Sequence, residues 1–449
     1  MRSARAVSSV SAPGANEQQQ PANGLAERRR HFCWRVVALA LCGWTGLSAQ
    51  TVSDTFRLAD AIRLALANNP MLHAARSEAT AASDRIGPAG ALPDPQVQFN
   101  TMNRAAPSYG YAGNVMTQDQ QQLMFTFPWP GKLGGAKRAA EHTAAAMSAD
   151  ADDQQRMLVS DVRMAYFDIA YTDRALDVIQ ETRALMRQFL EVSTTMYAVG
   201  GAVQQDVLRA QVELGRMAED QTRMGQDRVA MAARLNSLMG RDPSVPIGTL
   251  ELPEPQGELP DVDSLVARGL VARPALRAAS ERVEASEGSL LSARRQIFPD
   301  VMLGLAFNQS YALGSTANFM AWITLPIFAG GKQLAMKREA VAMLDASQAD
   351  LLSVRNETVA RIIETRARAE EDRNLVRLYR SGIVPQAQAA VTTSLASYRV
   401  GQLSFMQLID NQLTVKNYQT EAYRLLADYQ QALGELSALV GGPVTEVSP

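Results

Sequence analysis

The sequence predicts a mainly α-helical protein with a membrane β-barrel portion, built as an internal twofold repeat. Three observations carry this prediction. Five anchor segments recur in the same order in the two halves of the 449-residue chain. The stretch 136–199 contains neither Gly nor Pro and places apolar residues at helical spacing. Four runs of about ten residues alternate apolar with polar or small side chains, as strands of a membrane barrel do.

The composition excludes several classes of function. A net charge of −2 leaves no basic footprint, so no nucleic-acid partner is expected. An abundance of Ala and 19 Met, with only 6% aromatic residues, favours long, closely packed helices. Cys33 and Cys42 both lie near the N-terminus, so we expect no disulfide in the exported body. The three histidines are scattered, and we predict no metal site and no cofactor.

Residues 1–49 are predicted to be a leader and signal peptide. A basic region at 28–35 precedes a short apolar run, Val36–Cys42, and Ala49 is a candidate cleavage point. The apolar run is too short to span a bilayer. A lipoprotein signal that ends at Cys42 is the alternative, although the bulky Leu41 disfavours it. The polar stretch before Arg28 is either an extended leader or a wrongly assigned start.

The anchor segments divide the rest of the chain. We predict a first repeat at 50–241, a Pro-rich linker at 242–261, a second repeat at 262–442 and a tail at 443–449. The matched anchors are Leu58–Ala61 with Leu265–Arg268, Pro93-Asp94 with Pro299-Asp300, Phe127-Pro128 and Gly131-Lys132 with Leu325-Pro326 and Gly331-Lys332, Tyr197–Gly200 with Tyr398–Gly401, and Leu235, Leu238 and Gly240 with Leu436, Leu439 and Gly441.

Each repeat has the same order of elements: a short helix, two strands, a very long helix, a turn that contains glycine and a medium helix. A helix of the length of 136–199 spans roughly 95 Å. The second long helix carries Gly382 and Pro385, so we expect a kink or a break there. These lengths predict a tall helical wall.

The four strands are predicted to turn one apolar face to lipid. That face comprises Val97, Phe99, Phe125, Phe127, Leu303, Leu305, Phe319 and Ile323. Loops at about 103–118 and 309–317 join the strands in pairs. Four strands cannot close a barrel, and an open edge in lipid leaves backbone groups unpaired. Several chains must therefore share one barrel, unless the strands are soluble hairpins that cap a helical bundle.

This order of elements, with its matching halves, resembles the TolC family of outer-membrane efflux proteins from about Leu58 to Gly442. The most specific segments are Pro326–Gly331 at the junction of barrel and helix, and the paired tips Tyr197–Gln211 and Tyr398–Gln412. The resemblance implies a homotrimer with a shared 12-stranded β-barrel, four strands per chain, above a trimeric α-helical barrel. The barrel lies in bacterial outer-membrane lipid and the helical tunnel in the periplasm.

The resemblance also implies a function and partners. The protein would be the passive exit duct of a tripartite efflux system, served by a periplasmic adaptor (membrane fusion) protein and an inner-membrane pump, for which the RND type is one candidate. The segment Phe127–Leu133 is similar to members grouped with heavy-metal resistance pumps. A passive duct accepts what its pump delivers, so its sequence need not encode the cargo.

The resemblance places a periplasmic gate at the helix tips. Asp410 stands where the family has a gating acid, and three symmetry-related copies around a narrow aperture would repel one another and attract cations. Gln407 stands where some members have a second acid, so a single ring is expected. Asp206 is the equivalent residue of the first half. The alternatives are a solvated helix carboxylate for Asp410 and a local cap for Asp206.

The tips also form the expected adaptor contact. Gly200 and Gly401 permit a tight reversal between helices. With Val199, Val400 and Leu403 they form a surface that a helical hairpin of an adaptor could grip, unless the turns are purely structural.

No enzyme is predicted. The Gly-Lys segments at 131–135 and 330–332 lack both the four-residue spacing and the Ser or Thr of a phosphate-binding loop. No Ser/His/Asp order or carboxylate pair stands out. The alternative to the duct is a soluble periplasmic coiled-coil scaffold or adaptor protein, which the strands in both halves argue against.

Overall fold

A computed structural model describes residues 56–104, 116–255, 257–310 and 313–444. The expected leader with Cys33 and Cys42, most of the first predicted loop and the end of the tail lie outside the described residues. Within these ranges the fold is mainly helical with four strands, so the predicted fold class is confirmed. None of the helices described is long and apolar enough to cross a bilayer.

The first series of elements runs from residue 58 to residue 238. Its members are α1 Leu58–Asn68, α2 Pro70–Asp84, α3 Ile86–Gly90, β1 Gln96–Met102, β2 Gln118–Phe127, α4 Lys132–Ala198 and α5 Gln204–Leu238. Pro70 starts α2 because its missing N–H is not needed there, and the Asn69 side chain accepts a hydrogen bond from Leu72 N at 3.1 Å. The absence of Gly and Pro after residue 135 allows α4 to continue for 67 residues.

The second series repeats this order from residue 262 to residue 440. Its members are α6 Val262–Ala272, α7 Pro274–Arg295, β3 Asp300–Ser310, β4 Gly314–Thr324, α8 Gln333–Leu378, a π-helical turn Tyr379–Ile383, α9 Val384–Arg399 and α10 Phe405–Val440. Together α8, the turn and α9 have 46, 5 and 16 residues, which equals the 67 of α4.

The π-helical turn is the outcome of the kink or break expected at Gly382 and Pro385. The helix is not interrupted; it widens by one residue over Tyr379–Ile383, and Pro385 then lies in the first turn of α9. Proline cannot donate a hydrogen bond and its ring clashes with the carbonyl of residue i−4. A π-helical turn places that clash in a segment whose hydrogen-bond ladder is already altered, so the helix continues.

The strands form one antiparallel sheet in the order β1-β2-β3-β4. Its register aligns Val97 with Leu123, Leu123 with Leu305, and Leu305 with Phe319. All eight residues predicted to face lipid lie on one face of this sheet: Val97, Phe99, Phe125, Phe127, Leu303, Leu305, Phe319 and Ile323. The opposite face carries polar side chains such as Gln98, Gln122, Asn308 and Asn318. Among the described residues, β1 and β4 each pair on one side only.

The second loop is shorter than predicted. Strand pairing continues from Gln309 opposite Ser315 to Ser310 opposite Gly314, so most of the predicted loop 309–317 is strand. Polar side chains had indicated a loop, but ladder hydrogen bonds use the backbone and tolerate Ser, Thr and Asn on a solvated stretch. Gly314, at φ +80°, takes the left-handed conformation where the chain reverses.

The long helix α4 is packed along its whole length. Beside its first half lie α2 and α7, and beside its second half lie α5 and α10; α8 packs against both α7 and α10. The buried residues are mostly small or aliphatic, and the largest apolar cluster joins α1, α4 and α5 around Val162, Ile169 and Leu235. The core is therefore a long seam between helices.

Three arginines of the second long helix hold the Pro-rich linker. The contacts are Arg366 Nε with Pro260 O at 3.0 Å, Arg373 Nη1 with Gly257 O at 3.1 Å, and Arg380 with the Glu254 carboxylate. The arginines are seven residues apart, about two helical turns, so they form a line along the helix. The linker consequently runs antiparallel to α8.

The junction between sheet and helices joins the two series. Lys132, at the start of α4, donates from Nζ to Asp300 Oδ1 at 2.7 Å and to Phe298 O at 3.0 Å. Asp300 Oδ1 also accepts from Trp129 N at 2.8 Å, and the Trp129 ring stacks on Phe298 with centroids 5.1 Å apart. The side chain of Lys132 is only 7% exposed, so this charge is stable because it is paired.

Close contact between α4 and α7 depends on two glycines. A Cβ on Gly135 would lie 2.5 Å from Ser292 N, and a Cβ on Gly288 would lie 2.6 Å from Ala139 N. These neighbours are backbone atoms and cannot move alone. The helices approach this closely because neither position carries a side chain.

We predict that Gly135→Ala destabilises the fold by about 1–3 kcal/mol, because the new methyl group forces two backbones apart. Gly134→Ala is the matched control: it is adjacent in the same helix and its Cβ would meet nothing within 4 Å. The control should be neutral or stabilising by about 0.5–1 kcal/mol, since Ala favours helix more than Gly. Denaturant unfolding of both variants measures the difference; equal effects would contradict the packing argument.

Candidate functional site

The two helix tips have the same backbone geometry. Gly200 follows α4 at φ +76° and Gly401 follows α9 at φ +75°. In each turn a backbone N–H donates a hydrogen bond to the carbonyl oxygen of the residue five positions earlier. Gly201 N donates to Met196 O at 2.8 Å, and Gln402 N donates to Ser397 O at 2.9 Å. This pattern ends a helix through a left-handed residue, which glycine adopts without strain. The turns therefore reverse the chain within five residues.

One apolar cluster joins the two tips. Its buried members come from both hairpins: Met186, Phe189, Ala210, Tyr398, Phe405, Leu408 and Ile409. Leu403, predicted as an adaptor contact, is half-buried and packs against this cluster. This cluster therefore packs the tip of the first series against the tip of the second.

Asp206 contacts Tyr398 across the two hairpins. The Tyr398 hydroxyl donates to Asp206 Oδ2 at 3.5 Å, joining the end of α9 to the start of α5. Burial and the nearby Asp206 charge raise the pKa of Tyr398 to about 12, so the phenol stays protonated near neutrality. Burial also raises the pKa of Asp206, against the lowering effect of its hydrogen bonds with Tyr398 and the Val203 backbone.

The sequence did not indicate Tyr398 as a functional residue. In the sequence Tyr398 only marks the repeat, where it matches Tyr197. The repeat does not distinguish the two tyrosines, yet Tyr398 is buried and Tyr197 is exposed. Only the packing of one hairpin on the other separates them.

Gln407 belongs to a helix cap. Ser404 Oγ accepts from Gln407 N at 3.4 Å, and Gln407 Oε1 accepts from Ser404 N at 3.4 Å, which forms a capping box at the start of α10. The Gln407 side chain therefore caps the first turn of its own helix.

Asp410 lies one turn further along α10 and is exposed. Its neighbours Leu408 and Ile409 are buried in the tip cluster, so the Asp410 carboxylate lies on the side away from that cluster. Among the described residues the Asp410 carboxylate has no ion-pair partner and no hydrogen bond with Asp206 or Tyr398. An unpaired carboxylate beside a turn is available to face a symmetry-related copy.

The tips carry exposed apolar side chains. Val199 is 74% exposed and Val400 is 67% exposed, each directly before its turn glycine. Val203 and Leu208, which the sequence reasoning did not select, are also exposed at the first tip. Large apolar side chains that point into water at both tips are typical of a surface that binds another protein.

Within the described ranges no group of three or more His, Cys, Asp or Glu side chains could hold a metal ion. The site consists of an apolar sheet face at one end of the long helices and a pair of tips at the other.

Comparisons with known proteins agree with this arrangement. The model of the family described as outer membrane efflux protein matches residues 61–241 and 265–442. Nodulation protein T of Rhizobium leguminosarum bv. trifolii is 22% identical over 83% of this chain and 82% of its own.

Solved structures share the fold. A membrane protein from Pseudomonas aeruginosa has a TM-score of 0.75 and 21% identity, covering 86% of this chain and 93% of its own. The outer membrane protein VceC from Vibrio cholerae has a TM-score of 0.73 and 18% identity, covering 86% and 97%. The matched segments contain the sheet, the long helices and both tips. The chain therefore belongs to the outer membrane efflux protein family, and it is an outer-membrane exit duct of a tripartite efflux system with its helices in the periplasm.

Proposed function

We propose that three copies of this chain form the duct, with the sheet of each copy contributing four strands to one shared barrel. The observation that carries the proposal is the sheet itself: its apolar face is exposed, and within the described residues β1 and β4 each lack a neighbour on one side. In lipid the backbone groups of both edges must be paired, and closure by other copies does this. The helices then enclose a periplasmic tunnel.

The gate is formed by the tips. The apolar cluster and the Asp206–Tyr398 contact hold the two hairpins of each copy together, and the Asp410 carboxylates of three copies line the aperture. Gln407 adds no charge there, so the ring is single. An open duct requires the tips to move apart, which loosens the packing of the apolar cluster as well as the weak hydroxyl–carboxylate bond.

The tip valines are the adaptor surface. Val199 and Val400, with Gly200, Gly401 and the half-buried Leu403, offer two similar apolar patches per copy. An adaptor with helical hairpins fits such patches, and an inner-membrane pump supplies the energy for transport. The pump, not the duct, selects the cargo.

Detergent extraction tests the assembly. Light scattering and electron microscopy of the full-length protein should find a hollow trimer longer than roughly 100 Å, the length of α4 alone. A monomer that stays soluble without detergent would refute the shared barrel and support the scaffold reading.

We predict that Tyr398→Phe increases basal conductance in planar bilayers. The variant loses the bond to Asp206; at 3.5 Å it is worth no more than about 1 kcal/mol, which changes an open population about fivefold. Tyr197→Phe is the matched control, because Tyr197 is the equivalent residue of the other tip and is exposed. If both variants have the same basal conductance, the Asp206–Tyr398 hydrogen bond does not control the gate.

We predict that Asp410→Ala reduces cation preference. Removing three carboxylates from one ring removes their attraction for cations. Reversal potentials in asymmetric salt measure the preference. Glu219→Ala, which removes an exposed carboxylate from α5, should leave it unchanged. An unaltered Asp410→Ala channel would leave Asp410 as a solvated helix residue.

We predict that Leu305→Arg impairs membrane assembly by about 2–4 kcal/mol, because it places a charge on the lipid face at mid-strand. Gln122→Arg is the control: Gln122 lies opposite Ala306 on the other face of the sheet. Trimer yield from membranes measures both. A normal yield of Leu305→Arg would show that the faces are assigned the wrong way round.

A further inference from the structure

Among the residues that the structure describes, the paired junction between sheet and helices occurs once, but the repeat supplies the residues for two. The first junction joins the end of β2 to the start of β3 through the Lys132–Asp300 ion pair and the Trp129–Phe298 stack. It connects the first series to the second. The end of β4 and the start of β1 are the equivalent segments that the chain does not connect.

The unconnected segments carry the same chemistry. Asp94 follows Pro93 as Asp300 follows Pro299, and Lys332 follows Gly331 as Lys132 follows Gly131. Leu92 precedes Pro93 as Phe298 precedes Pro299. An anion and an apolar side chain thus lie before β1, and a cation lies after β4.

All of these groups are exposed in the single chain. Asp94 and Lys332 are exposed, and neither has an ion-pair partner among the described residues. Leu92 is exposed, and so are two apolar residues after β4: Ile327 is 78% exposed and Phe328 is 77% exposed. In the first junction the equivalent cation is 7% exposed. The groups of the first junction are paired with one another, whereas the equivalent groups before β1 and after β4 are unpaired among the described residues and exposed.

The two halves cannot meet within one chain. They adjoin β1 and β4, the opposite edges of the sheet, which are three strand spacings or about 14 Å apart. Lys132 and Asp300 meet because β2 and β3 are neighbours. Lys332 and Asp94 become neighbours only when β4 of one copy lies beside β1 of another.

We propose that neighbouring copies complete a second junction, in which Lys332 pairs with Asp94 of the adjacent copy and Ile327 and Phe328 cover its Leu92. The proposal rests on the assembly proposed above and names the contact that holds it. The connection after β4 has four residues between Pro326 and Gly331, against two between Pro128 and Gly131. Its greater length compensates for the smaller Leu92 in place of Phe298.

The repeat also sets the strand register between copies. Phe125 lies opposite Leu303 in the β2–β3 pair, and their counterparts in the repeat are Ile323 and Val97. If β4 of one copy pairs with β1 of the next in the same register as β2 with β3, Ile323 of one copy lies opposite Val97 of the next. Both belong to the apolar face, so the face continues across the boundary; a shift of one residue would turn one strand's apolar side chains inward.

A cysteine pair tests the contact directly. The double variant Asp94→Cys/Lys332→Cys should give disulfide-linked dimers and trimers on a non-reducing gel, since the described residues contain no cysteine of their own. Asp94→Cys/Lys337→Cys is the matched control: Lys337 is an exposed lysine five residues further along α8 and should give little linkage.

Charge reversal tests the ion pair. Asp94→Lys and Lys332→Asp should each weaken association at least about tenfold, because each leaves two like charges in a closed contact. The double variant Asp94→Lys/Lys332→Asp should restore association, whereas Lys337→Asp should not change it. Light scattering in detergent gives the mass and the dissociation constant of each variant.

The outcomes separate the junction from the assembly. Linked trimers together with rescue by the double reversal support the junction. If the protein forms trimers but the double-cysteine variant gives no disulfide-linked species and the double charge reversal does not restore association, the second junction is wrong and the shared barrel is still supported. A wild-type monomer in detergent would overturn both.

Discussion

A sheet in lipid must have no free edge, because the bilayer offers no water to pair its backbone N–H and C=O groups. This constraint acts on a chain whose described residues provide four strands, with β1 and β4 at the edges of their sheet. Each strand has about ten residues and alternates in polarity, so each can cross a bilayer with one face to lipid. The oligomer, the repeat and the junction between strands and helices can all be understood from this requirement.

The helices must begin at the exact place where the strands end, and the chain uses short-range chemistry to achieve this. Lys132 and Asp300 neutralise one another in a contact that buries the lysine, and the stacked rings of Trp129 and Phe298 lie at the same junction. Just beyond, Gly135 and Gly288 let α4 and α7 approach to backbone contact. The sheet thereby passes directly into a helical wall, and the linker held by arginines lies along that wall.

The two helix tips lie at the far end of the helices. They share an apolar cluster, and a long hydrogen bond between Asp206 and Tyr398 joins one tip to the other. Exposed valines beside the turn glycines are the surface proposed above for an adaptor. This combination is consistent with a duct, whose function needs a closed wall, an aperture that can change width and a place to bind its partners.

The sequence by itself determined those features that depend on neighbours in the chain. A stretch without Gly or Pro predicts the length of α4, alternation places eight residues on one face of the sheet, and Gly200 and Gly401 mark the turns. Tertiary structure decided the rest. Strand pairing extends β3 and β4 into a polar stretch that was predicted to be a loop. A π-helical turn accommodates Pro385, where a kink or a break was expected. Tertiary structure also separated Tyr398 from Tyr197 and committed Gln407 to a helix cap. These outcomes depend on partners remote in the sequence, and local pattern carries no information about which remote groups will meet.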